Sequence, residues 1–200
     1  MHDQLTRHLP AMLSAAPESS SPSVTHFGVV KIISGGQSGA DRGGLEAAKL
    51  LGIETGGFAP HGYMTEDGPS PDLGSEYGLE EMSSMSYREM YPARSQKNVD
   101  VSDGTVAFSL CPSVGTDLTI GYCRSGKWKR TSSFRLATLH RPVFVVRKFS
   151  EEEKKNFQWW LATKPIRVLN VAGHRETSAG VPDFQKKVTE FLVSALSSEI

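Results

Sequence analysis

The sequence predicts an α/β protein with a doubly wound, mainly parallel sheet of about five or more strands and helices on both faces. Three observations carry that expectation. Apolar runs of strand length alternate with segments of helical spacing, which supply the crossovers that parallel strands need. A strand, a turn of small residues and a helix start follow one another twice, around Gly35 and around Gly115. The 19 glycines and 11 prolines fall between the apolar runs, and 38% hydrophobic content in 200 residues suffices for one buried core.

Residues 1–26 carry Leu5, Leu9, Met12 and Leu13 and then a Ser- and Pro-containing run. They are expected to form a flexible leader ahead of one ligand-binding domain over 27–200. His8, Pro10 and Ser14 interrupt any secretory core. Arg7 and the serines fit an organelle leader and Asp3 and Glu18 oppose it, so the expectation is a plain tail on a cytoplasmic protein.

The first strand is expected over 28–34 and the first helix over 40–51, with Leu45, Ala48 and Leu51 as its buried stripe and Gly52 as its stop. A second strand covers 53–58. From 59 to 98, Pro60, Gly62, Gly68, Pro69, Pro71, Gly74 and Gly78 break every periodicity, so this stretch reads as a long binding loop or a disordered one. A third strand over 105–110 leads through the turn 113–116 into a helix over 117–124. A basic connector follows over 125–141, with a short helix over 132–139, and then a strand over 142–146. Ser150 and Glu153 form a capping pair for a helix over 151–162. The fifth strand lies over 167–171, its turn over 172–180, and the last helix over 182–196, on Phe184, Val188, Phe191 and Leu192.

Lys plus Arg and Asp plus Glu both number 22, so the whole-molecule field gives no general reason to bind nucleic acid or an anionic membrane. No apolar run approaches the roughly 18–20 residues of a membrane span. Cys111 and Cys123 form no CxxC pair, and His61 and His174 have no metal-ligand spacing, so neither a disulfide framework nor a metal site is expected. Charge is nevertheless uneven. Between Asp117 and Glu151 there is no acidic residue, while Arg124, Lys127, Lys129, Arg130, Arg135, Arg141, Arg147 and Lys148 fall there. Such a run is a solvated face, a subunit contact or a patch for a polyanion.

In a doubly wound sheet, ligands bind beyond the carboxyl ends of the strands. Residues 34–41 supply a turn with few side chains ahead of a helix N-terminus, which favours an anion and reads as a phosphate cradle. The turn lacks the dinucleotide fingerprint, because Ser34 stands at its first glycine and no acidic residue ends the second strand. No Gly-Lys-Ser/Thr makes it a P-loop. Polar candidates in the long loop and after it are His61, Glu66, Asp67, Arg94, Asn98 and Asp103.

Four separated stretches carry a resemblance. They are 34–42 (SGGQSGADR), 56–60 with Glu66-Asp67-Gly68-Pro69, 94–98 with Asp103-Gly104-Thr105, and 169–173 with Arg175-Glu176. Together they are similar to the molybdenum cofactor carrier proteins, YpsA-like members of the Rossmann-like SLOG superfamily. The resemblance implies a Rossmann-like fold, a small phosphate-bearing ligand, molybdopterin or the molybdenum cofactor as that ligand, and a homodimer or homotetramer. The ligand and its phosphate are expected on Gly35, Gly36, Gln37, Ser38, Gly39 and Asp41, on Ser113, Gly115, Thr116 and Thr119, and on Arg94, Asn98 and Arg175. Glu66, Asp67, Asp103 and Glu176 would face the heterocycle.

The chain departs from the pattern at Pro112-Ser113-Val114, where a glycine pair is expected, at His174 in place of a proline, and at the 125–141 insertion. Related enzymes that cleave nucleotide N-glycosidic bonds carry a glutamate after this Gly-Thr turn, and Thr119 and Ile120 stand there instead. The carrier is therefore the first reading. A nucleotide hydrolase using Glu66 or Asp67 as acid/base, a nucleotide-sensing domain, and a nucleic-acid module using the 124–148 patch with Trp128 and Phe134 are the alternatives.

Overall fold

The computed structural model describes residues 26–125, 129–131, 134–136 and 140–197. The expected leader, His26 excepted, lies outside the described residues. The main elements open with β1 (Lys31–Ser34), α1 (Ala40–Leu51) and β2 (Glu54–Ala59). A small hairpin, β3 (Met64–Thr65) with β4 (Gly68–Pro69), the short α2 (Asp72–Ser75) and the edge strand β5 (Glu80–Glu81) come next. Then follow α3 (Tyr87–Val101), β6 (Gly104–Phe108) and α4 (Val114–Ser125). The chain continues through β7 (Lys129–Thr131), β8 (Phe134–Leu136), β9 (Val143–Val146), α5 (Glu151–Ala162), β10 (Val168–Gly173) and α6 (Phe184–Leu196).

Six parallel strands form one sheet in the order β5-β2-β1-β10-β6-β9. If β10 is counted first, the five long strands stand in the usual doubly wound order 3-2-1-4-5. The strand that normally begins such a sheet is thus the last in this chain, and it inserts between β1 and β6. The ends of the described region agree with that reading. His26, just ahead of β1, donates its Nδ1–H to the Leu196 carbonyl at the end of α6 (3.1 Å), so the link from β10 through α6 to β1 is closed by contact rather than by peptide.

Helices α1, α5 and α6 cover one face and α3 and α4 the other. Ile32, Val106, Phe108, Leu169 and Val171 of the central strands are buried against Phe157, Phe184, Val188 and Leu192. Gly44 lets α1 lie directly on β10, since a Cβ there would stand 2.7 Å from the Val171 side chain. The α1 stripe is as expected, with Leu45 and Ala48 fully buried and Gly52 closing the helix in the left-handed conformation at φ 69°. Ser150 also caps α5 as expected, its Oγ accepting from the Glu153 N–H at 3.3 Å.

Three expectations change. The 59–98 stretch runs into α3, a 15-residue helix that the sequence conceals because it has no apolar stripe, holds Pro92 inside it, and buries Arg94, Gln96 and Asn98 along with Met90 and Val99. Helix α4 begins at Val114, so Gly115 and Thr116 belong to its first turn rather than to a separate loop. In the basic connector, 134–136 is the strand β8, paired antiparallel with β7 in the register Thr131↔Phe134, where a helix over 132–139 was expected. Two side chains of the basic run between Asp117 and Glu151 hold backbone. Arg141 donates to the Asp100 carbonyl (2.9 Å) and Arg147 to the Ser109 carbonyl (3.3 Å).

Candidate functional site

The carboxyl ends of β10 and β6 are where neighbours on the two sides run back to different halves of the chain, and a cleft of about 440 Å³ opens there. Its walls are the loop after β1, the face of α3 carrying Tyr91, Arg94 and Asn98, the start of α4, and the exit of β10 through Gly173, His174 and Arg175. This volume is within the ordinary range for small-ligand sites.

The loop after β1 is internally bonded. Gly36 N–H donates to Ser34 Oγ (3.3 Å), Gln37 N–H to Asp41 Oδ2 (3.3 Å), Gly39 N–H to Gln185 Oε1 (3.2 Å) and Ala40 N–H to the His174 carbonyl (3.0 Å). The anion held by this loop is the chain's own Asp41 carboxylate, to which Arg94 Nη1 also donates at 2.9 Å. The Ser38 hydroxyl donates to Glu66, whose other oxygen accepts from Thr177 (2.9 Å). The glycines serve close packing. A Cβ on Gly35 would stand 1.3 Å from Arg94 Nη1, and one on Gly36 2.7 Å from Leu73.

The start of α4 is the more open donor set. Ser113 Oγ accepts from the Thr116 N–H (3.4 Å), and Asp117 N–H reaches the Ser113 carbonyl (2.8 Å). The N–H groups of Val114 and Gly115 meet no acceptor among the described residues, as is normal in a first helical turn. A Cβ on Gly115 would find no atom within 4 Å. Thr119 lines the cleft one turn on, its hydroxyl donating to the Gly115 carbonyl (3.1 Å). Arg175 reaches the cleft from β10, its guanidinium carbon 5.4 Å from the centre of the Tyr91 ring, with that of Arg94 at 5.9 Å. Burial pushes the Tyr91 hydroxyl above its usual pKa, and neighbouring Tyr87 adds to the effect.

Three buried side chains on this cleft each keep one polar atom without a partner. They are Gln37 Oε1, Arg94 Nε and His174 Nδ1. The Gln37 amide is oriented by its Nε2 donating to the Met64 carbonyl (2.9 Å), which leaves the oxygen as a free acceptor. His174 accepts the Cys111 N–H on Nε2 (3.2 Å), so the neutral ring carries its proton on Nδ1 as a free donor. Burial lowers the His174 pKa and keeps the ring neutral, against a smaller pull from Asp117. The lowered pKa makes the stability of the fold depend on pH. The contribution is fully present above the unfolded value of about 6.5 and is lost as pH falls through the lower native value. Melting temperature measured against pH should therefore drop more steeply below about pH 6.5 in the wild type than in His174→Gln.

Several expected site residues lie elsewhere. Asp103 stands at the amino end of β6, where its carboxylate accepts from Arg167 and Val168 N–H (3.0 and 2.8 Å), far from the carboxyl ends. Glu176 takes the first N–H groups of α6, from Phe184 and Gln185 (2.9 and 2.6 Å), and is a helix cap. Asp67 is exposed on the β3-β4 turn. Asn98 lines the cleft but engages both amide groups with Phe58, accepting from its N–H (2.9 Å) and donating to its carbonyl (3.1 Å), which ties α3 to β2. His61 is half-exposed beside Glu81, 3.3 Å away. Tyr91 and Asn170 line the cleft without having been singled out. Tyr91, Arg94 and Asn98 are spaced i, i+3, i+7, a polar face legible once α3 is recognised.

Among the described residues, no group of three or more His, Cys, Asp or Glu could hold a metal ion, and no helix is long and apolar enough to cross a membrane.

Comparison with known proteins gives two matches. The model of the circularly permutated YpsA SLOG family matches residues 32–196. A crystal structure of a protein from Syntrophus aciditrophicus SB, named as a molybdenum carrier protein, is similar at 30% identity and a TM-score of 0.69, over 86% of this chain and 96% of that one. No curated protein matches.

Proposed function

We propose, given that this chain belongs to the circularly permutated YpsA SLOG family, that the cleft binds a phosphate-bearing heterocycle and that the molybdenum cofactor is the ligand it carries. The observation that carries the reading is that three residues lining one cleft, Gln37, Arg94 and His174, each hold a buried polar atom without a partner, Oε1, Nε and Nδ1 respectively. Buried polar atoms are normally paired, and one left alone costs about 1–3 kcal/mol. A ligand that offers one donor and two acceptors removes that cost. Planar nitrogen heterocycles carry such an edge.

The phosphate belongs at the start of α4. The free N–H groups of Val114 and Gly115, the Ser113 and Thr116 hydroxyls and the helix dipole all favour an anion there, and Arg175 adds charge. The metal of the cofactor would be held by the cofactor's own sulfur atoms, which suits a site with no cluster of metal-ligating side chains among the described residues. The neighbour's name supports the same ligand.

Mass spectrometry of the small molecule retained through native purification tests the reading. The expected result is a phosphate-bearing pterin. Absence of any such ligand, together with failure of added molybdopterin to bind, would overturn it.

A further inference from the structure

We infer that the cleft takes up its anionic ligand together with a proton, and that Asp41 is where the proton lodges. The inference rests on the ligand-binding reading above. Asp41 lines the cleft yet is only 6% exposed, and a single oxygen, Oδ2, receives both the Gln37 N–H at 3.3 Å and Arg94 Nη1 at 2.9 Å. It sits where a strand-turn-helix loop would otherwise seat a phosphate. The site therefore already contains one anion before its ligand arrives.

The charged side chains that line the cleft are Asp41 and Glu66 against Arg94 and Arg175, a formal balance of zero. Those that face Asp41 come from two elements: Arg94 from α3, which is paired with it, and Arg175 from the exit of β10, which acts at longer range. The Gln37 N–H from its own loop completes the set. His174, also on the β10 exit, is held neutral by burial. A dianion placed at the start of α4 must draw on the same two guanidiniums. Arg94 lines the cleft, and its buried Nε has no partner.

Two anions sharing two cations in a poorly solvated cleft repel one another, and the carboxylate is the one that can be discharged. Burial already works against the charged form of Asp41, opposed by Arg94, the Gln37 N–H and Arg175. Weakening the hold of Arg94 and adding a negative neighbour both act in the same direction. The balanced step is Asp41 carboxylate plus a solvent proton plus ligand dianion, giving the neutral carboxylic acid beside the bound dianion. Arg94 keeps its charge throughout.

Sulfate is the probe, because it stays a dianion over the whole range from about pH 5 to about pH 8 and contributes no proton of its own. In the wild type, sulfate affinity should weaken with rising pH, by up to tenfold per unit where free Asp41 is ionised and bound Asp41 is protonated. Calorimetry in two buffers of different ionisation heat should show proton uptake approaching one per sulfate. Both effects should vanish in Asp41→Asn. Should that variant fail to fold, carboxyl NMR of the wild type reads the same quantity, and the Asp41 titration should move to higher pH when sulfate is added. A pH-independent wild type would overturn the inference and leave the cleft reading intact. Persistence of the slope in Asp41→Asn would assign the proton to His174 and overturn it equally. Failure of sulfate to bind at any pH would overturn both.

Discussion

Arg94→Met lowers the unfolding free energy by about 3–5 kcal/mol, the usual consequence of leaving one partner of a buried ion pair behind. Arg94 and Asp41 are 10% and 8% exposed in their side chains and 2.9 Å apart. Without the guanidinium, the Asp41 carboxylate keeps only the Gln37 N–H and the distant charge of Arg175. The double variant Arg94→Met with Asp41→Asn removes the stranded charge and recovers most of the loss, because replacing both partners is far milder than removing one. Denaturant unfolding of the wild type, the two single variants and the double variant reads all four corners of the cycle. Additive losses in the double variant would show that the pair does not act as a unit. Gly35→Ala should produce a similar defect by another route, since its Cβ would occupy the position of Arg94 Nη1, 1.3 Å away, and force the guanidinium out.

Gly39→Ala is the second large effect. Gly39 has φ 81° and ψ −125°, a conformation essentially confined to glycine, whose cost for another residue is about 1–3 kcal/mol. Its Cβ would also lie 2.5 Å from the His174 carbonyl oxygen and 2.6 Å from the Glu176 nitrogen. Both are backbone atoms and cannot rotate away, so overpacking adds about 1–3 kcal/mol more. The contact being forced apart joins the loop after β1 to the exit of β10, where the Ala40 N–H meets the His174 carbonyl at 3.0 Å. The melting temperature should fall by about 10 °C. Gly52→Ala is the control. Gly52 also has positive φ, at 69°, but nothing lies within 4 Å of its Cβ, so the loss there should be only about 1–2 kcal/mol. Equal losses at the two positions would mean that the close approach at Gly39 contributes nothing.

The central layer of the fold is legible because its elements obey simple periodicities. The apolar run at Ile32 and Ile33, the stripe on α1 and the Ser150 cap each state one local rule, and the structure follows it. Helix α3 is illegible for a physical reason: its buried residues mix Arg94, Gln96 and Asn98 with Met90 and Val99, since it serves a cleft as well as a core. Counting apolar positions cannot find Tyr91, Arg94 and Asn98 on one side of a helix. The place of β10 is also hidden, because sequence order says nothing about which strand it joins. The loop after β1 is legible as a turn, but its bonding is not. Nothing local in residues 35–39 says that Asp41, Gln185 and the His174 carbonyl occupy its donors. Asp103 and Glu176, acidic residues close to strand ends, share the chemistry of ligand groups, and only tertiary structure reveals that they bind backbone N–H groups instead.

In the proposed binding mode the ligand's phosphate lies at the open first turn of α4, and Gly115→Asp tests that placement with little risk to the fold. The new side chain meets no atom within 4 Å at its Cβ, and a carboxylate in the first turn of a helix is favourable to the helix itself. The affinity for molybdopterin should fall at least about tenfold, since a fixed negative charge stands beside the phosphate, while the melting temperature stays unchanged or rises. Unaltered affinity in a folded Gly115→Asp protein would contradict that placement and return the phosphate to another part of the chain.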